Sequence, residues 1–381
     1  MSKTRNIFED VGTDAPRERP VVQPGAIDRA ARSGARGVVR LWLGSIFFAL
    51  AAMLIGAAIS RLLGQGVTLR GGLPLYGTLP PMDAQAWLAA FDRYLAGLPP
   101  EAPPAISDLA AFQRAFWWEW GVRQAGTLAA ALWALGIMGM SVPRFMPKGW
   151  GLRLAGIGAL LALIGLADWA LGPAGHVPAL LDAPSLRVAA MSGIGFVSLG
   201  LIAWYILKLG RSEAALMQAR RARDARAFGL STVVMHLVFA QILFGALLAG
   251  RDSGRGFVDW PLMGGHVLPP GIWAMTPGWH NLYDNPVLAE FVHRGLGYLL
   301  VLVGTIAWVR GRKNVHRRTR MAFHWMAVML FGQVVLGIGS VLYGAQWHIV
   351  LAHNLGAVAL VVLVLRARFL ARYPFQQSIR G

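Results

Sequence analysis

The chain has 381 residues and a formal net charge of +18, yet only 14% of its residues are charged and 56% are hydrophobic. A typical soluble protein carries roughly 25% charged residues, so this composition excludes a disordered chain, a coiled coil and most soluble enzymes. There is no Cys, which excludes disulfides, thiolate metal sites, Fe–S clusters and covalently attached c-type haem.

The sequence predicts an all-α integral membrane protein. Eight apolar segments are long enough to cross a hydrocarbon core of about 30 Å: 41–60, 114–140, 152–171, 186–207, 228–249, 288–309, 321–343 and 348–370. Residues 1–40 are polar and Pro-containing, lack the apolar core of a signal peptide, and read as a mobile cytoplasmic tail. Basic residues then recur in every second connection: Arg144, Lys148 and Arg153; Lys208 to Arg226; Arg310 to Arg320; and the tail from Arg366 to Arg380. By the positive-inside rule these segments and both termini are cytoplasmic. The positive charge is therefore explained by topology and membrane lipid, with no nucleic-acid partner implied. Two long connections, 61–112 and 250–287, face outward, and their Trp and Pro content suits a lid over a site near that surface.

The chain repeats itself. Glu119-Trp-Gly-Val122-Arg123 in span two matches Glu290-Phe-Val-His293-Arg294 in span six, each near the outer end of a span that follows a long outer connection. Two tandem four-helix bundles of the same orientation are expected, 41–210 and 211–381. Spans six and eight both run inward. His293 and His353 each lie about five residues in, about 8 Å below the outer boundary. Two neutral imidazoles at one depth across a bundle suit the axial ligation of a haem iron. Arg294 suits a propionate carboxylate. The competing reading is that each His only bonds a neighbouring helix; the matched depth favours haem. Zinc is disfavoured because Cys is absent and other ligands at that depth are scarce. His348, His236 and His324 read as interfacial or packing residues, and His176, His266, His280 and His316 fall in loops. Glu119 and Glu290 are carboxylates in or near the membrane, where charge is costly and often functional; the bland alternative for each is a pair with the Arg four residues on.

These motifs carry a family resemblance. Phe116-Trp-Trp-Glu-Trp-Gly, Gln241-Ile-Leu-Phe-Gly-Ala-Leu-Leu-Ala-Gly, Trp260-Pro-Leu-Met, Asn285-Pro-Val-Leu-Ala-Glu-Phe-Val-His-Arg and Ala352-His-Asn-Leu-Gly-Ala resemble heme A synthases of the proteobacterial and mitochondrial type. The resemblance implies a bacterial inner-membrane oxidoreductase with haem b held between His293 and His353 in the second bundle. It implies haem O as substrate in the first bundle, a ring methyl being oxidised to the formyl group of haem A, and a catalytic role for Glu119. It also implies a place in cytochrome oxidase biogenesis, with haem O synthase, terminal-oxidase assembly factors and further copies of the chain as partners. The departures lie in the first half. Val122 and Met191 stand where the family has His, the outer loop reads Ser60-Arg-Leu-Leu-Gly-Gln-Gly-Val-Thr, and Ile164-Gly-Leu-Ala-Asp168-Trp replaces a glycine-rich pattern. The alternative function is a non-catalytic haem-binding relative acting in terminal-oxidase assembly. A transporter, which would share the parallel repeat, lacks the midplane polar residues it needs.

Overall fold

The computed structural model describes residues 26–62, 79–96, 106–141, 146–147, 149–170, 184–251 and 256–375. Arg144, Lys148, His176, Arg380 and the Pro-rich stretch near 99–104 lie outside the described residues. Eleven α-helices appear among the described residues: α1 Ala26–Leu62, α2 Ala84–Ala96, α3 Leu109–Met140, α4 Gly151–Ala170, α5 Pro184–Leu209, α6 Glu213–Arg220, α7 Ala225–Gly250, α8 Asn281–Asp284, α9 Pro286–Gly311, α10 Arg317–Leu342 and α11 Trp347–Arg372. The helix α1 starts at Ala26, within the segment expected to be a tail.

Among the described residues, seven helices are long and apolar enough to cross a membrane: α1 over Ala35–Arg61, α4, α5, α7, α9, α10 and α11. The chain is thus a multi-pass, all-α membrane protein. The eighth expected span coincides with α3, whose 32 residues are about 48 Å long. It is not among the seven because Arg114, Glu119 and Arg123 interrupt its first half.

Helix pairing follows from where small and apolar residues fall. On α1, Val39, Leu43, Ile46, Leu50 and Met53 are buried. Their spacing of three and four residues makes one stripe, and it packs on α3 and α5. The helix α4 packs on α3 and α5, while α7, α9, α10 and α11 pack around one another, α7 on α9 and α11, and α10 on α9 and α11. The two groups meet through α5 on α7 and α11, and through α1 on α11 and α7. In hydrocarbon such contacts rest on close packing rather than water exclusion, so small residues count. A Cβ on Gly250 would overlap the Ser185 backbone, so glycine lets the end of α7 and the start of α5 touch main chain to main chain.

Helix starts are capped by side chains. Asp108 accepts from Ala111 N at 2.8 Å. Asn285 accepts from Val287 N at 2.9 Å and Leu288 N at 3.2 Å, with Pro286 opening α9. Asp224 does more than cap α7 through Ala227 N at 3.0 Å. It also takes Arg310 at 3.2 Å and Asn314 at 3.1 Å from the end of α9, and its own N–H donates to Ala371 O of α11 at 2.9 Å. One residue thereby ties three helix ends, two through its carboxylate and one through its main-chain N–H. Asp224→Ala is expected to lower stability by about 1–2 kcal/mol through the lost cap alone, while Asp224→Asn, which keeps a cap acceptor, should lose less. Thermal unfolding of both variants in detergent, followed by circular dichroism, checks the ranking.

Candidate functional site

The helices α7, α9, α10 and α11 enclose a cavity of about 340 Å3, reached also by Arg61 from α1 and Ser192 from α5. His293 and His353 both line it, so the two imidazoles that the sequence placed at one depth do face one space. Glu290, Arg294 and Trp260 stand in the same wall.

The tautomer of His293 follows from its partners. Its Nδ1 lies 3.1 Å from the main-chain oxygen of Gln241. A carbonyl only accepts, so Nδ1 carries the proton and Nε2 keeps its lone pair. Gln241 Nε2 donates to that lone pair at 3.1 Å, while Gln241 Oε1 is buried without a partner, so the amide is held from one side. In His353 the ring Nδ1 is buried with no hydrogen-bond partner. Glycines stand against both rings. A Cβ on Gly245 would lie 3.0 Å from His293 Cε1, and one on Gly337 would lie 3.5 Å from His353 Cε1. Neutral nitrogen donors with an orphaned ring atom, each backed by a glycine on the neighbouring helix, suit a flat metal-centred ligand held between two imidazoles.

The connection before α8 contributes Trp260 to the cavity wall. Glu290 and Arg294 form a buried ion pair, at 5% and 9% side-chain exposure. Burial of that depth requires each charge to be neutralised and hydrogen-bonded. Arg294 meets this on two sides: Nε donates to Glu290 at 3.1 Å, and Nη1 donates to the main-chain oxygens of Asp259 at 2.9 Å and Leu262 at 2.8 Å. The loop these carbonyls belong to is itself fixed by Asp259, which accepts from Gly264 N and Gly265 N at 2.8 Å each. Both glycines have positive φ, 60° and 76°, a region L-residues avoid. The N–H groups of Gly265 and Gly264 hold the Asp259 carboxyl below the usual carboxylate range. Arg294, expected beside a ligand carboxylate, thus spends most of its donors on Glu290 and on seating this loop, and Trp260 reaches the cavity as a result.

Glu119 is not in this cavity wall. It pairs with Arg123 at 3.3 Å on α3, half-buried. Val122 and Met191 pack into the apolar core shared by α1, α3, α4 and α5, with Val122 against Gly56. Arg187 pairs with Asp168 at 2.8 Å. The remaining described histidines stay apart from the cavity wall. His236 bonds Thr232 O at 2.8 Å, His324 accepts from Trp308 Nε1 at 2.9 Å, His280 packs on Trp279, and His266 and His348 are exposed. Sequence reasoning missed Gln241, Gly245, Gly337 and Arg61 as parts of this wall. Gln241 and Gly245 lay four residues apart in one conspicuous stretch, but nothing in the pattern aims them at His293.

Comparison with known proteins agrees with the resemblance seen in the sequence. The family described as cytochrome oxidase assembly protein matches residues 40–365. A protein named heme A synthase from Dinoroseobacter shibae is 46% identical over 381 residues, covering 100% of this chain and 99% of its own length. Heme A synthases from Ruegeria pomeroyi, 45% identical with all of both chains covered, and from Paracoccus denitrificans, 44% identical over 99% of this chain and 98% of its own, are similar throughout. Coverage of both chains end to end, at this identity, spans both helix groups and the loops between them; the chain belongs to the heme A synthase family of cytochrome oxidase assembly proteins.

Proposed function

We infer that the chain acts as a heme A synthase, an oxidoreductase that converts a ring methyl of haem O into the formyl group of haem A within the membrane. The observation that carries the site is the cavity between His293 and His353, with neutral imidazoles and glycines at their backs. His293 and His353 would hold a resident haem b through its iron, and the group would supply one-electron redox chemistry. The residues of the chain do the rest. The main-chain oxygen of Gln241 fixes the His293 tautomer whose Nε2 carries the lone pair, which accepts from the Gln241 amide here and would bind iron in its place. The Glu290–Arg294 pair seats the outer loop over the cavity, and Trp260 narrows access to it. Haem O is bound by the first helix group, where Glu119 holds or moves a proton during oxidation of the methyl.

The same reading takes α3 as an eighth span and the two helix groups as tandem bundles, residues 41–210 and 211–381, with residues 1–40 and the C-terminus cytoplasmic in a bacterial inner membrane. The repeated Glu-x-x-x-Arg pairs, Glu119–Arg123 and Glu290–Arg294, at matching places on α3 and α9 support it. So does the clustering of basic residues at the α5–α7 and α9–α10 connections. Haem O synthase, terminal-oxidase assembly factors and a second copy are the partners this function calls for.

One test concerns the iron ligands. His293→Ala and His353→Ala should each abolish the low-spin b-type spectrum of the purified protein, whereas His236→Ala and His324→Ala should leave it. Loss of a ligand present at 100 times its Kd removes about 2.7 kcal/mol of stability, so the first pair should also melt earlier. A spectrum unchanged by His353→Ala would contradict the assignment.

Catalysis is tested by expression with a source of haem O in a host lacking its own heme A synthase, followed by haem extraction and chromatography. The unmutated chain should yield haem A. Glu119→Gln should reduce that yield by about 100-fold, within the range general acid–base groups contribute, with the His293/His353 spectrum intact. Absence of haem A from the unmutated chain with a filled site favours the non-catalytic assembly relative, the reading that Val122 and Met191, packed as apolar core residues, would then support. Restoring both with Val122→His and Met191→His tests whether those positions silenced it.

Topology is tested with reporters. One fused after Gly381 or inserted within 211–226 should report from the cytoplasm, and one within 256–280 from the outside. An external C-terminus would require an odd number of spans and remove α3 or another helix from the count.

A further inference from the structure

We propose that Arg61, from the first helix group, is the anchor for a carboxylate of the ligand in the His293/His353 cavity, so that the second group's cofactor is held by both halves of the chain. The proposal rests on the reading of that cavity as a haem site. It begins with charge. The Arg, Lys, Asp and Glu side chains in the cavity wall are Arg61, Glu290 and Arg294. Glu290 and Arg294 neutralise one another. Arg61 has no salt bridge among the described residues, and its Nε is buried without a hydrogen-bond partner. The wall therefore carries one positive charge that no other side chain of the wall pairs. An arginine N–H buried without a partner is costly, and in native proteins such a group is paired or binds an anion.

Position decides which anion. Arg61 is in the last turn of α1. Arg294 lines the same cavity, where it seats the loop around Trp260. Its donors are spent on Glu290 and main-chain oxygens, so Arg61 is the cation left to receive an anionic group there. The planar fork of a guanidinium matches a carboxylate in two parallel hydrogen bonds, so Arg61 would hold a carboxylate of a ligand bound by His293 and His353. Arg61 belongs to α1 of the first group and lines the cavity of the second, so a ligand bound to it couples the two groups across the α1–α7 and α1–α11 contacts.

The test is the rate at which the full-length protein in detergent loses haem b to excess apomyoglobin, measured for the unmutated chain, Arg61→Gln and Arg61→Lys. Each is loaded either with haem b or with its dimethyl ester, which keeps the iron and the ring but has no carboxylate. Loss of a charge-assisted pair is expected to speed release of haem b about 10- to 100-fold in Arg61→Gln, with Arg61→Lys in between. The ester should leave the unmutated chain and Arg61→Gln at the same rate. If Arg61→Gln releases haem b no faster than the unmutated chain, the proposal is overturned. It is also overturned if the variant shows the same acceleration with the ester, since the residue would then act on packing alone. If the unmutated chain takes up neither form with a bis-imidazole spectrum, the haem reading of the cavity fails instead, a result that the spectrum separates from both others.

Discussion

A charge placed in hydrocarbon has to find its partner inside the protein, and the Glu290–Arg294 pair shows how much structure one such demand can organise. The pair is almost fully buried, at a depth where neither side chain could remain ionised alone. One carboxylate does not exhaust a guanidinium, so the remaining donors of Arg294 capture the main-chain oxygens of Asp259 and Leu262. Those two bonds hold the outer loop down, the turn at Gly264 and Gly265 closes on the Asp259 carboxylate, and Trp260 is delivered to the cavity wall. A residue that looks like a ligand anchor in the sequence is, in the fold, chiefly the latch of a lid.

The two helix groups answer the same constraint differently. In the second, polar groups converge on a cavity: two imidazoles, Gln241 and the Glu290–Arg294 pair. In the first, Val122 and Met191 join an apolar core, and two half-buried ion pairs are present, Glu119–Arg123 and Arg187–Asp168. The Arg187–Asp168 pair joins α5 to α4 at the place where the sequence departs from a glycine-rich pattern. A new carboxylate there is matched by a cation on the facing helix, which keeps both charges tolerable in the membrane. Arg61 is the exception, a cation on α1 whose side chain opens toward the other group's cavity.

Hydropathy and spacing placed six of the seven membrane-length helices to within a few residues: 186–207 became Pro184–Leu209, 288–309 became Pro286–Gly311 and 348–370 became Trp347–Arg372, while the first, expected at 41–60, is part of Ala26–Leu62. That is legible because a bilayer imposes a length and an apolar composition on each crossing separately, without reference to its neighbours. The shared depth of His293 and His353 was legible for the same reason, since rise per residue converts sequence position into depth. The helix α3 was less so, because Arg114, Glu119 and Arg123 break the apolar run and their neutralisation depends on packing. Which side chains meet was left to the tertiary structure. The main-chain oxygen of Gln241 on the His293 ring, the glycines behind both imidazoles, the diversion of Arg294 to the outer loop and the entry of Arg61 into a cavity built by other helices depend on how each helix is rotated about its axis and which helix it touches. Rotation and pairing are fixed by close packing of small and large residues between helices, and a one-dimensional pattern records only that a residue lies at a given depth, not the direction it faces.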